Sequence, residues 1–241
     1  MKRIKVSDST SGEDGISYLL KSLAPIASDL GGKIVGLNCE QRVGFKLFCR
    51  EDRLDYFKSE TEDKIADVLA IKYKYEFFKR KIHPVGLSKY ETELLLTALI
   101  SADIEEDKRY VLRRIRGLGE YVLDGTFNFK LRALKNKWKE IVSYIPLVFS
   151  SKQLEEFVAF LMSEKRGKRV FVQNGKVYDP YYNTLKRSSL LDGEGDVIRE
   201  VLLSSGGTVE VLSQLTKEEE KYLRSFFGRR VSFLKGSLKN G

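Results

Sequence analysis

Residues 208–234, "TVEVLSQLTKEEEKYLRSFFGRRVSFL", decide the fold class. The two ends, TVEVLS and RRVSFLKG (the latter running to residue 236), carry short apolar alternations and read as strands. The middle, TKEEEKYLRSFFG, reads as an amphipathic helix. Two strands separated by one helix form a βαβ unit, with parallel pairing and a right-handed crossover as the default. Upstream of it, "DVIREVLLSSGG" is a further helix, "PYYNTLKRSSLLDGEG" is a loop, and "KRVFVQNGKVYD" is a hairpin turning at Asn174-Gly175.

The opposite end has the same texture. "RIKVS" is a short strand. "GISYLLKSLAPIASDLGG" is a helix with Ile16, Leu19, Leu20, Leu23 and Ile26 at helical spacing, kinked or shortened by Pro25 and stopped by Gly31-Gly32. "KIVGLNCE" and "VGFKLFCRE" are two strands meeting near Gln41-Arg42. Between the two α/β ends the period is helical. Residues 60–81 carry a stripe of Ile65, Val68, Leu69, Ile71, Tyr75 and Phe78, broken by "IHPVGLS" with its Pro84 and Gly86. Ser88 N-caps the next helix, with Glu91 placed for a capping box. Residues 103–122, "DIEEDKRYVLRRIRGLGEYV", form another helix, acidic at its start and basic at its end as the helix dipole favours, with Gly117 and Gly119 punctuating its end. In residues 121–142, "YVLDGTFNFKLRALKNKWKEIV", Asp124 or Thr126 caps a helix that runs to about Tyr144. Leu131, Leu134, Trp138, Ile141, Val142 and Ile145 share one of its faces. "SSKQLEEFVAFLMSEKRGK" is a last helix of this region, with Leu154, Phe157, Val158 and Leu161 inward.

The expected fold is therefore mixed α/β. An N-terminal βαββ unit occupies residues 1–58. Residues 59–241 follow, helical over 59–166 and α/β over 167–241, where a hairpin is joined to a βαβ unit.

Composition narrows the function classes. The chain has 241 residues, 42% hydrophobic, enough to build a core and too apolar for a disordered chain. Lys and Arg number 43 against 34 Asp and Glu, a net charge of +9, which favours anionic partners. One histidine, His83, and two cysteines, Cys39 and Cys49, leave little for a zinc site. The hairpin places Cys39 near its turn and Cys49 at its far end, so they are not expected to pair. "MKRIKVSDSTSGEDG" lacks a signal peptide's apolar run, and no apolar stretch approaches the roughly 18 residues of a membrane span, so a soluble cytosolic protein is expected.

Three places in the chain resemble the YtxC-like family of sporulation proteins found in spore-forming Firmicutes. "LDGTFNFKLRAL" looks like that family's Leu-Asp-Gly-Phe-x-Asn-Phe-Arg-Leu core. Asp124, Gly125, Asn128, Phe129 and Leu131 agree with it; Thr126 stands where the family usually has Phe, and Lys130 where it has Arg. "EFVAFLMSEKRGKRVFVQNGK" is similar in order, a helix leading to a strand. So is the tail, "VIREVLLSSGGTVEVL" followed by "LRSFFGRRVSFL". The resemblance runs from about residue 64 to 234. It implies an association with endospore formation and carries no catalytic residues or cofactor.

The cations supply the candidate site. Wound as a helix, Arg132, Lys135 and Lys139 share one side of residues 124–144, with Lys130 and Lys137 beside the apolar stripe. Upstream, Arg109, Arg113 and Arg116 fall on one helical face, next to Lys108 and Arg114. Such clusters suit phosphate recognition. They also occur as the ordinary solvated face of a core helix, or as a complement to the dipole at a helix C-terminus. "KYKYEFFKRK" mixes aromatics with cations, and helical spacing reads its rings as core rather than as stacking platforms. Asp192, Glu194 and Asp196 alternate like a calcium loop, but Val197 and Leu203 stand where such a loop needs Gly and Glu. "RGLGEY" lacks the third glycine of a dinucleotide loop. There is no P-loop, GxSxG or HExxH, and no nucleophile is placed by His83. The expectation is a non-enzymatic, cofactor-free protein of the sporulation programme acting through a protein partner, its identity and oligomeric state unspecified. The alternative is a nucleic-acid-binding protein that uses the basic helical surface.

Overall fold

The computed structural model describes residues 1–165, 167–192, 195–204 and 207–234. The ends expected for the last helix of the central region (Arg166), for the helix over 196–207 (Ser205, Gly206) and for the final strand (Lys235, Gly236) lie outside the described residues, as does Glu194 of the acidic loop. In chain order the elements are β1 (Lys2–Ser9), α1 (Glu13–Asp29), β2 (Lys33–Cys39), β3 (Arg42–Cys49), α2 (Leu54–Asp67), a π-helical turn (Val68–Lys72), α3 (Tyr73–Lys79), α4 (Lys89–Ala102) and α5 (Ile104–Ile115). They continue with β4 (Glu120–Val122), α6 (Leu123–Gly125), a second π turn (Thr126–Lys130), α7 (Arg132–Ser143), α8 (Ser151–Ser163), β5 (Val170–Gln173), β6 (Lys176–Tyr178), α9 (Val197–Leu203), β7 (Val209–Val211), α10 (Lys217–Phe227) and β8 (Val231–Phe233). The fold is mixed α/β, with two four-stranded mixed sheets. Among the described residues no helix is long and apolar enough to cross a membrane.

Residues 1–77 and 104–144 make one compact unit; residues 78–103 and those from 145 onward make the second. In the first, the sheet order is β2-β3-β1-β4. β1 and β3 pair antiparallel from Lys2↔Cys49 to Ser9↔Arg42. Alternation sends Ile4 and Val6 of β1, with Phe45 and Leu47 of β3, inward, where α1 supplies Ile16, Leu19 and Leu23. α1 continues through Pro25 to Asp29 rather than stopping there. Cys39 sits opposite Arg42 and Cys49 opposite Lys2, at the two ends of β3.

Two sequence expectations in this unit are corrected. The helix read over 103–122 ends at Ile115, and Glu120–Val122 is a strand parallel to β1, with Val6 opposite Tyr121. The chain turns at Gly117, whose φ of +80° is costly for any side chain. Its amide donates to Glu62 Oε1 at 3.0 Å, and the Tyr121 hydroxyl donates to the same oxygen at 2.7 Å. Nor is the stretch from Asp124 to Tyr144 one helix. Asp124 is drawn into an ion pair with Arg42 at 2.8 Å instead of capping, a π turn follows, and the chain breaks at the buried Leu131 before α7.

The second unit holds the sheet β6-β5-β7-β8. β5 and β6 form the expected hairpin, with Asn174 and Gly175 at φ 50° and 71°. β7 and β8 pair in parallel on either side of α10, the expected βαβ unit. Capping boxes start α4 (Ser88 with Glu91), α8 (Ser150 with Gln153) and α10 (Thr216 with Glu219). α4 packs on α8 and α9. Inward on α8 are Leu154, Val158 and Met162; Phe157 and Leu161 are half-buried.

Candidate functional site

α5 carries its sequence in two halves. Inward, Ile104, Val111 and Ile115 are buried, and so are Asp107 and Lys108. Asp107 accepts from Lys74 at 2.8 Å, from the Trp138 indole at 3.0 Å and from Lys137 at 3.2 Å. Lys108 pairs with Asp67 at 2.8 Å and Asp63 at 3.1 Å, and the Tyr18 hydroxyl donates to Asp67. Burial pushes the Asp63 carboxyl up, but Lys108 and Lys64 outweigh it and hold it below the ordinary carboxylate value. These buried pairs fix α5 against α2, α3 and α7, so the outward half is held in a set place.

That outward half is cationic. Arg109, Arg113 and Arg116, with Leu112 and Glu106, line a cleft of about 450 Å³. Arg113 also lines a second cleft, of about 520 Å³, with Tyr110, Arg114, Phe129, Lys130, Arg132 and Ala133. α5 and the π turn leading into α7 thus share one surface. Arg114 donates to the Tyr110 hydroxyl at 3.3 Å, and its guanidinium lies 5.2 Å from the centre of that ring. Arg109, Arg113, Arg114, Arg116, Lys130 and Arg132 form no ion pair with another described residue. Two nearby acids are bound by other cations. Glu106 is bound by Lys137 at 2.8 Å, and Glu120 faces Lys5 and Arg3 on the sheet at 3.4 and 3.9 Å.

Of the seven cations singled out in the sequence, five line these clefts: Arg109, Arg113, Arg114, Arg116 and Arg132. Lys135 instead donates to the Asn128 carbonyl at 3.1 Å and lies over the Phe127 ring, and Lys139 lines neither cleft. The residues of the LDGTFNFKL stretch divide. Asp124 holds Arg42, Leu131 is buried, and Phe129 and Lys130 face the second cleft. Tyr110 was not visible as part of a site. Its signal was an aromatic three and four residues before arginines, which puts ring and guanidinium on one helical face.

The other sequence candidates are structural. In "KYKYEFFKRK", Tyr75 and Phe78 are buried, Tyr73 donates to Asp8 at 2.7 Å, and the Phe77 ring lies 5.7 Å from Trp138. Asp192 pairs with Lys79, and Asp196 caps α9 through the Arg199 amide. Among the described residues no group of three or more His, Cys, Asp or Glu side chains is disposed to hold a metal ion. No protein-family model matches the chain, and no curated protein or solved structure matches it.

Proposed function

We propose that this protein is a cytoplasmic, non-enzymatic member of the YtxC-like sporulation family, and that its α5–α7 face binds nucleic acid. One observation carries the binding reading: Arg113 joins two clefts whose six cations have no carboxylate partner among the described residues. Unpaired guanidinium groups on a shared, rigidly mounted surface are what phosphate recognition requires, since each neutralised phosphate releases counterions. The family reading rests on the LDGTFNFKL stretch, whose Phe129 and Lys130 line that surface.

Anisotropy of labelled single- and double-stranded DNA and RNA at low and moderate salt tests the binding. Affinity is expected to fall steeply as salt rises. Changing Arg113, Arg114 and Arg116 to Glu should weaken binding and reduce the salt slope by about one per cation lost. These side chains are exposed, so the melting temperature should stay within a few degrees.

A second reading, action through a protein partner, is supported by an exposed apolar strip in the other unit. Val85, Leu147 and Val148 are 66%, 79% and 67% exposed, and Val85 and Val148 are joined as a parallel bridge. Absence of nucleic-acid binding even at low salt would leave this reading alone.

A further inference from the structure

Resting on the nucleic-acid reading of the α5–α7 face, we infer that the bound strand is single and that Phe129 is the platform on which one of its bases stacks. Phe129 is 73% exposed and shares its cleft with Arg113, Arg114, Lys130 and Arg132. The ring stands in water beside these cations, and among the described residues none of them lies over its face. An unpaired base, with a phosphate on either side of it, satisfies both.

The ring is presented, not merely loose. Residues two apart on a helical turn point in nearly opposite directions. Phe127 therefore takes the inward side, its ring 4.8 Å from Tyr73 and 6.0 Å from Trp138, and Leu131 is fully buried just beyond. The turn is anchored through Phe127 and Leu131, and Phe129 faces out between the exposed Asn128 and Lys130. Tyr110 cannot serve in its place, because its hydroxyl is bound by Arg114 and the guanidinium lies over its ring. It mounts the arginine on the cleft wall. A duplex would not engage Phe129, since its base faces are already stacked; it offers this surface only phosphates.

The test uses the full chain and measures binding of four probes of equal length. These are a thymidine oligonucleotide, its uridine RNA counterpart, an abasic DNA strand and a DNA duplex. The wild-type chain should bind the thymidine or uridine strand roughly tenfold or more tighter than the abasic strand, the size of one base–aromatic stack. Whichever of the two is tighter shows which strand is preferred, and either result supports the inference. Phe129→Leu should bring that strand down to the abasic level and leave the abasic and duplex affinities within about twofold. Phe129→Trp should keep the preference, and the added indole fluorescence should be quenched on binding. A base preference that survives Phe129→Leu overturns the inference. If Arg113→Glu with Arg114→Glu still weakens every probe in that case, the nucleic-acid face stands without its platform. No binding of any probe, or binding indifferent to the arginine changes, removes the nucleic-acid reading and the inference with it.

Discussion

At the residue scale the molecule turns on Asp107. It is buried among Lys74, Lys137 and Trp138, and Lys74 is itself fully buried. A carboxylate in that position does not add much stability over a well-packed apolar residue. Its removal is what costs, because the fully buried Lys74 ammonium loses an ion-pair partner and the Trp138 indole loses its charged acceptor. Asp107→Asn keeps the shape and takes away the charge, and should lower unfolding stability by about 3–5 kcal/mol. Lys137 is a third exposed and sits at the edge of the same group, so Lys137→Ala should cost less than about 1 kcal/mol. Urea denaturation of the two variants checks this. A loss below about 1 kcal/mol for Asp107→Asn would mean that its charge does not hold α5 in place. In the sequence the three acids look like one dipole-matched helix start, but spacing separates them: Asp107 falls three residues after Ile104 and four before Val111, on the face that turns inward. What the sequence does not give is its partners, Lys74 and Trp138, which lie far along the chain.

At the element scale, what depends on neighbours in sequence was legible and what depends on distant partners was not. The capping box at Ser88 and Glu91, the Asn174-Gly175 turn and the strands on either side of α10 are local devices, and each appears where its residues call for it. β4 is different. Three residues make no alternation, and Glu120–Val122 becomes a strand only because β1 offers it an edge. The π turns are invisible for another reason: widening one turn shifts the phase of everything after it, and the 3.6-residue period assumes no such shift. The connection from α5 to β4 rests on Glu62, which accepts from both Gly117 and Tyr121. Glu62→Ala leaves an amide and a buried hydroxyl without their acceptor and should cost about 2 kcal/mol. Hydrogen exchange at the Gly117 amide should rise more than at amides within α5. Uniform exchange across both would indicate that the turn is held by something other than this carboxylate.

At the scale of the whole molecule, each compact unit is made of two pieces of chain. Residues 78–103 leave the first unit for the second, and residues 104–144 return. A composition change along the chain marks where texture alters; it does not mark which segments pack together, because packing is decided by side chains far apart in sequence. The consequence is a test that separates the units. Every cation of the proposed binding face, with Phe129 and the buried pairs that mount α5, belongs to the first unit. A fragment covering 1–144 nevertheless contains α4, whose Leu94, Leu95, Leu96, Leu99 and Ile100 are buried and which packs on α8 and α9. Cut there, the fragment exposes a strongly apolar helix stripped of those partners and should aggregate. Replacing 78–103 by a flexible Gly/Ser linker removes that helix while keeping the first unit's core, and loop closure of this kind adds little free energy. The linked variant should be monomeric, melt cooperatively and bind oligonucleotide with affinity close to that of the full chain. Light scattering, thermal unfolding and the same anisotropy measurement decide it. A linked variant that folds but does not bind would place essential contacts in the second unit, and would turn the search toward the exposed strip at Val85, Leu147 and Val148.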